Sequence, residues 1–186
     1  MIRRFVPALV ALLFAGAALA AEVGGVKLDD KVSVGGKDLM LNGAGIRTRA
    51  IFKVYVGSLY VPQKSGDLAG VLAGSPRRIQ MNILRDLTAD QLVDALVEGL
   101  KDNNSAAEMA AIKAQTDQLV TIMKAFQQVK EKDVVTLDFV GDATQIALNG
   151  NPRGSIPGAA FNTALTRIWL GEKPAQADLK RAMLGG

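Results

Sequence analysis

Residues 42–61 read Asn-Gly-Ala-Gly-Ile-Arg-Thr-Arg-Ala-Ile-Phe-Lys-Val-Tyr-Val-Gly-Ser-Leu-Tyr-Val. The two glycines near the start of this segment, Gly43 and Gly45, predict a flexible bend. The β-branched and aromatic residues that follow predict one long strand from Arg47 to Pro62.

The polar residues of this strand alternate with apolar ones. If the strand is unbroken, alternate side chains lie on opposite faces of a sheet. One face then carries Arg47, Arg49, Lys53 and Tyr55, and the other carries Ile46, Ala50, Phe52, Val54 and Val56. A guanidinium and a phenol beside apolar surface suit the binding of a carboxylate or enolate better than they suit hydrolysis.

The flanking segments predict further strands. Residues 26–30 predict a short strand, and residues 31–41 predict two strands joined by a turn at Gly35-Gly36. Residues 63–76 are rich in glycine and predict a loop or one short helix. Residues 78–84 alternate between polar and apolar side chains and predict another strand.

Two helices are predicted in the middle of the chain. Thr88 to Gln91 form a capping-box pattern, and Leu92, Leu96 and Leu100 follow at four-residue spacing. A second capping box, from Ser105 to Glu108, predicts a longer helix that runs to about residue 128. We interpret the Met and Leu stripes of both helices as core packing.

The last third of the chain predicts hairpins followed by helices. Residues 134–140 and 144–148 predict antiparallel strands, and a Pro/Gly-rich connection follows Asn149-Gly150 through Gly154. Helices are predicted over residues 159–170 and 174–184. Strands that flank and follow a helical pair indicate a single α+β domain with an antiparallel sheet.

The N-terminus has the pattern of a secretory signal peptide. Arg3 and Arg4 precede an uncharged run from Phe5 to Leu19, and the small-residue pattern at its end predicts cleavage after Ala20 or Ala21. We therefore expect residues 1–20 to be removed, residues 21–186 to form the single mature domain, and the protein to be periplasmic or secreted. The uncharged run is shorter than the ~20 residues of a spanning helix, which favours a cleaved signal over the alternative of an uncleaved membrane anchor. Once the signal is removed, no stable membrane insertion is expected.

Charge and missing residue types exclude several classes of function. Loss of the two N-terminal arginines lowers the formal net charge from +4 to +2, and no basic cluster is interleaved with stacking aromatics, so no nucleic-acid partner is predicted. The chain has no histidine and no cysteine, which excludes Ser-His-Asp triads, Cys-His dyads, the usual zinc sites and His-ligated haem. We predict no metal and no cofactor, with a tetrapyrrole whose iron is ligated by Tyr or Met as the less favoured alternative.

Two motifs together resemble a known family. They are Asn42-Gly-Ala-Gly-Ile-Arg47 with Phe52-Lys-Val-Tyr-Val-Gly-Ser-Leu-Tyr60, and the C-terminal run from Asn149 through Gly154, Gly158, Phe161 and Trp169 to Gly171. The chain resembles the bacterial chalcone isomerase-like proteins over nearly all of residues 24–184. The resemblance implies an open-faced β-sandwich, in which a curved antiparallel sheet packs against a helical layer with a ligand cleft between them.

The resemblance also implies roles for particular residues. In the plant enzymes of the family, the arginine that matches Arg47 positions a chalcone and stabilises charge during its cyclisation. The other polar groups of the plant site fall near Tyr55, Leu92 and Gly99, which do not reproduce them, so we expect no chalcone cyclisation of physiological weight. An Arg and a Tyr on this strand are instead similar to the non-catalytic, fatty-acid-binding branch of the superfamily, which implies a ligand site at Arg47, Tyr55, Leu92 and Leu96.

Three functional hypotheses follow, and single residues also have purely structural interpretations. The first is a non-catalytic carrier or sensor of a small amphipathic carboxylate such as a fatty acid, with Arg47 as its anchor. The second is a protein-interaction or stress-related scaffold with a filled cleft, and the third is an isomerase or intramolecular lyase in which Arg47 stabilises charge. In the purely structural interpretations, Arg47 braces a turn, Tyr55 is a half-buried strand aromatic, and Trp169 fills the core.

Overall fold

The computed structural model describes residues 21–186, so the predicted signal peptide lies outside the described residues. The chain forms eleven strands and six helices within this range. The strands are β1 (Ala21–Val23), β2 (Val26–Leu28), β3 (Lys31–Val34), β4 (Lys37–Arg49), β5 (Phe52–Val61), β6 (Arg77–Ile83), β7 (Leu87–Thr88), β8 (Gln128–Val129), β9 (Val134–Val140), β10 (Ala143–Leu148) and β11 (Asn151–Pro157). The helices are α1 (Leu68–Ala73), α2 (Ala89–Asn103), α3 (Ala106–Ala111), α4 (Lys113–Lys124), α5 (Ala159–Leu170) and α6 (Ala177–Met183).

Seven of the strands form one antiparallel sheet in the order β11-β10-β9-β6-β5-β4-β3. Side chains from one face of this sheet form the main core together with apolar residues of the helices. The predicted α+β class, with a curved antiparallel sheet packed against a helical layer, is confirmed. No helix within residues 21–186 is long and apolar enough to cross a bilayer.

The long strand predicted from Arg47 to Pro62 is wrong, because the chain reverses at its start. Strand β4 ends at Arg49, Ala50 and Ile51 form the turn, and β5 begins at Phe52. The continuous parity of side chains therefore does not hold across residues 46–56. Arg47 nevertheless pairs directly with Tyr55 across the two strands, and side chains of paired residues in adjacent strands lie on the same face.

The predicted bend at Gly43 and Gly45 is also wrong, because both glycines lie inside β4. Helix α6 packs directly on the backbone of this strand. A Cβ added at Gly43 would clash with the carbonyl oxygen of Ala182, and one added at Gly45 would lie 2.8 Å from the Cβ of Ala182. The glycines are thus required for the close approach of a helix. Close approach of another backbone is a known reason for glycine inside a strand.

Hydrogen bonds hold both ends of α6 against β4. Near its C-terminal end, the Nδ2 of Asn42 donates to the carbonyl oxygen of Met183 at 2.8 Å. At its start, the Oε1 of the N-cap residue Gln176 accepts from the backbone N–H of Thr48 at 2.8 Å. The segment from Asn42 to Thr48 is therefore the surface on which α6 packs along its length.

Three further predictions need correction. The helix predicted to run from Ser105 to about residue 128 is divided at Ile112 into α3 and α4 and ends at Lys124. The Pro/Gly-rich segment after Asn149-Gly150 is the edge strand β11, where Gly154 makes room for the side chain of Ile122 on α4. The last helix begins at Ala177 and not at Pro174.

Replacement of Gly43 by alanine tests the packing of α6 on β4. We expect Gly43→Ala to lower the free energy of unfolding by about 1–3 kcal/mol, because the new methyl group forces α6 away from the sheet. Denaturant unfolding measures the change. Gly66→Ala is the matched control, since nothing lies within 4 Å of a Cβ added there; equal stability of the two variants would contradict the close packing.

Candidate functional site

A cavity of about 500 Å³ lies between the β4–β5 hairpin and the helices. Strand residues, among them Arg47, Tyr55 and Met81, form one wall, and Leu92 and Leu96 of α2 face them. Residues Ile168 and Trp169 of α5 lie along a third side, followed by the segment that leads into α6. The cavity thus lies between the sheet and the helical layer.

Helix α2 presents its cavity-lining residues at regular spacing. Leu92, Ala95, Leu96 and Gly99 occur at intervals of three and four residues, which places them on one helical face. The helix begins with the predicted capping box, in which the hydroxyl of Thr88 and the side chain of Gln91 bond to each other's backbone N–H groups. Gly99 allows the side chain of Ile168 to approach α2 closely, since a Cβ there would lie 2.8 Å from its Cγ2.

Tyr55 and Trp169 are joined by a hydrogen bond at the cavity. The indole Nε1 of Trp169 donates to the phenolic oxygen of Tyr55 at 3.0 Å, and both side chains are buried. Since the phenolic oxygen accepts this bond, its own O–H remains a donor. Among residues 21–186 that O–H donates to no protein acceptor, so it is available to a molecule in the cavity.

Burial raises the pKa of the Tyr55 phenol above its ordinary value. The hydrogen bond from Trp169 and the positive charge of Arg47 act in the opposite direction and offset part of this effect. The side chain is therefore a neutral phenol at physiological pH. It can donate a hydrogen bond to an anion, but a raised pKa is the reverse of what a phenolate general base requires.

Arg47 lies at the end of β4, next to the cavity, and is half-buried. Its Nη1 donates to the carbonyl oxygen of Thr48 at 2.5 Å and to the Oε1 of Gln176 at 3.3 Å. These bonds use one nitrogen and hold the guanidinium in place. Its Nε and Nη2 donate to no acceptor within the described part of the chain, and no carboxylate there forms an ion pair with it.

The edge of the cavity carries charges of both signs, with cations in excess. Besides Arg47, the lining includes the basic side chains of Arg49, Arg85 and Lys173 and the acidic side chains of Glu98 and Asp102. The buried lining residues are mostly apolar and form the interior wall, whereas the charged lining residues are mostly exposed and lie at the opening. Such an arrangement suits an amphipathic anion, with its apolar part inside and its charge near Arg47.

The structure brings all four predicted ligand-binding residues, Arg47, Tyr55, Leu92 and Leu96, to one cavity. Their role in ligand binding stays a prediction. The structural interpretation of Arg47 as a brace accounts for only part of its hydrogen bonding, since only one of its three nitrogens donates to a backbone carbonyl, that of Thr48. Trp169 is buried as expected for a core residue, and it also lines the cavity.

Gln176 was not predicted as a site residue, and its amide oxygen accepts from Thr48 and Arg47 together. It lies more than a hundred residues from either partner, and no local pattern marks it. Ala95 was also missed, although its spacing from Leu92 was a usable signal. Within residues 21–186, no group of three or more acidic side chains is arranged to hold a metal ion.

Comparison with known proteins gives two findings. A family model described as chalcone isomerase-like matches residues 20–185. Among solved structures, a fatty-acid binding protein of Arabidopsis thaliana, AtFAP1, superposes with a TM-score of 0.66 at 13% sequence identity, covering 86% of this chain and 92% of that chain. At this identity the likeness concerns the fold. No curated protein sequence matches the chain significantly.

Alkaline titration tests the burial of the phenol beside the cavity. The chain has two tyrosines, and burial raises the pKa of both Tyr55 and Tyr60. We expect little phenolate absorbance from the folded protein at a pH near 10, where tyrosines of the unfolded chain are half ionised.

The same shifts predict how stability depends on pH. Because the unfolded chain releases tyrosine protons first, the free energy of unfolding falls as pH rises above about 10. Phenolate absorbance should therefore appear together with unfolding, as monitored by circular dichroism. Ionisation of both tyrosines near pH 10 in the folded protein would show that solvent reaches them freely.

Proposed function

The chain belongs to the chalcone isomerase-like family, and from that premise we propose that it binds a small amphipathic carboxylate, such as a fatty acid, without converting it. One observation carries the proposal. Two free hydrogen-bond donors, the guanidinium of Arg47 and the O–H of Tyr55, come from directly paired residues beside a cavity whose buried wall is apolar.

The two donors and the cavity have different tasks. A hydrogen bond to a charged group contributes about 1.5–3 kcal/mol, whereas burial of an acyl tail contributes about 0.8 kcal/mol per CH₂ before ordering costs. The acyl tail therefore supplies most of the binding free energy, and Arg47 sets the orientation of the ligand in the cavity. The cavity volume of about 500 Å³ lies within the range of about 300–1,000 Å³ that is usual for small-molecule sites.

Binding without reaction is favoured by the residues that face Arg47. A lyase or isomerase needs a group that exchanges a proton near neutral pH, and the raised pKa of Tyr55 keeps that phenol protonated. Leu92 and Gly99 offer no hydrogen-bonding side chain at the positions where the plant enzymes have polar groups. A scaffold with a filled cleft agrees less well with an open cavity beside a free guanidinium edge.

AtFAP1 supports the same ligand class by analogy, since that protein is a fatty-acid binding protein of similar fold. We further propose a periplasmic or secreted location, on the basis of the signal-peptide pattern in residues 1–20. The natural ligand is then an acid available outside the cytoplasm, and denaturing extraction with mass spectrometry of the purified protein is the direct way to identify it.

Replacement of Arg47 tests the carboxylate anchor. We expect Arg47→Ala to weaken the binding of dodecanoate by about ten- to a hundredfold, because a charge-assisted hydrogen bond is lost. Binding of 1-dodecanol, which has the same tail and no charge, should change much less. Isothermal titration calorimetry measures both ligands, and thermal unfolding checks that the fold is retained.

Arg49→Ala is the matched control, with the same change of charge two residues away. Arg49 is exposed, so water and salt screen its charge, and we expect a loss of no more than about threefold. Equal effects of the two substitutions would reduce Arg47 to a general electrostatic role. Collapse of the Arg47→Ala fold, with Arg49→Ala intact, would make the arginine a structural brace.

A second substitution tests where the tail lies. Ala95 is exposed on α2 and lines the cavity, so Ala95→Trp adds bulk there without enlarging the packed core. We expect the loss of dodecanoate and 1-dodecanol binding alike, by at least about tenfold, since the volume for the tail is removed. Gln118→Trp on α4, also exposed and outside the cavity lining, should leave both affinities unchanged.

A further inference from the structure

The turn between β4 and β5 exposes two large apolar side chains side by side. Ile51 is 87% exposed and Phe52 is 53% exposed, and they are the only exposed large hydrophobic residues among residues 21–186. Single exposed apolar residues are common and need no explanation. Two neighbours that project from the end of one hairpin form a distinct apolar tip, which we call the Ile51 tip (residues 50–52).

The residue types of this turn are poor choices for folding alone. Ala50 has a φ of +53°, a region that costs free energy for residues other than glycine and that Asn or Gly would occupy at less cost. Ile51 beside it gains no burial from the folded chain. Local stability therefore does not explain an Ala-Ile turn, which leaves contact with something outside the chain as a reason for it.

Cations surround the Ile51 tip. Arg49 and Lys53 flank it in sequence, and the guanidinium of Arg85 stacks over the ring of Phe52 at 4.6 Å from its centroid. No ion pair within residues 21–186 involves these three side chains, and the chain contains no acidic residue between Asp38 and Asp67.

The acidic groups nearest in sequence or in the cavity lining belong to other elements than the Ile51 tip. Asp86, the neighbour of Arg85, accepts from the Nε2 of Gln128 and from the backbone N–H of Glu131. Glu98 and Asp102 lie on α2 and line the same cavity as Arg49 and Arg85. The tip is thus apolar at its apex and positively charged around its base.

We propose that the Ile51 tip docks the protein reversibly on the surface of an anionic phospholipid bilayer. Apolar side chains that enter the boundary between headgroups and acyl chains, with Lys and Arg at the level of the phosphates, are the pattern of peripheral membrane attachment. A stable protein partner generally requires about 1,000 Å² of complementary surface. Two side chains at a hairpin end are far smaller than that, whereas a bilayer accepts an insertion of this size.

The docked orientation places the cavity opening at the membrane. Ala50 and Phe52 of the tip line the cavity, as do Arg49 and Arg85 beside it. An amphipathic molecule could then pass between the bilayer and the cavity without crossing open water. Membrane attachment itself does not require the cavity to be filled, so the two proposals are tested separately.

Flotation with lipid vesicles tests the attachment. We expect the mature protein, residues 21–186, to float with vesicles of phosphatidylglycerol and phosphatidylcholine, and not with phosphatidylcholine alone, and to be released by high salt. Ile51→Ser should weaken partitioning by at least about tenfold, and Lys53→Gln by about fivefold. Neither residue lines the cavity, so dodecanoate binding should stay unchanged in both variants.

Lys37→Gln is the matched control for charge, because Lys37 is exposed at the other end of β4; it should partition like the unaltered protein. The chain has no cysteine, so Ile51→Cys can carry a single environment-sensitive fluorophore, which should report an apolar environment on vesicle addition. The same label at Asp142→Cys, in the turn at the opposite end of the sheet, should not respond.

Three outcomes would overturn the proposal. One is equal binding to neutral and anionic vesicles, and another is equal partitioning of Ile51→Ser and the unaltered protein. The third is a dimer in the absence of vesicles that dissociates on Ile51→Ser substitution, which would show that a second copy of the chain covers the tip.

Discussion

Helix α6 packs against the bare backbone of β4, and this contact organises the end of the molecule that contains the cavity. Gly43 and Gly45 remove the side chains that would keep the helix away from the strand. Asn42 and Gln176 then hold the two ends of α6 by hydrogen bonds. Because the amide oxygen of Gln176 also accepts from Arg47, the packing of the last helix orients the guanidinium at the edge of the cavity.

The side chains that line the cavity are held in place by contacts with the core and within α2. Trp169 is buried in the core and donates its N–H to Tyr55, so the phenol lies fixed at the wall with its own O–H free. Leu92 and Leu96 lie on a helix whose start is secured by a capping box. Preorganisation of this kind lowers the free-energy cost of ordering on binding, which agrees with the proposed reversible binding of a ligand.

Much of the fold follows from local sequence patterns, and the exceptions have physical reasons. Capping boxes, the Gly35-Gly36 turn and the alternation of residues 134–148 predicted elements that the structure contains. The long strand through Ala50 was wrong because β propensity continues across the turn, and a turn of Ala and Ile carries no glycine or asparagine signal. Gly43 and Gly45 were misinterpreted because a glycine for close packing and a glycine for a bend look identical in sequence.

The candidate site also depends partly on features visible in the sequence and partly on tertiary packing. Composition sufficed to exclude histidine and cysteine chemistry, and the order of the patterns sufficed to indicate an α+β domain. The family resemblance was needed to select Arg47 and Tyr55, because the single strand predicted to carry both is broken by the turn at Ala50 and Ile51. The partners of those two residues, Gln176 and Trp169, lie 129 and 114 positions away. Packing of distant elements alone creates such contacts, and with them the cavity, the free edge of the guanidinium and the raised pKa of the phenol.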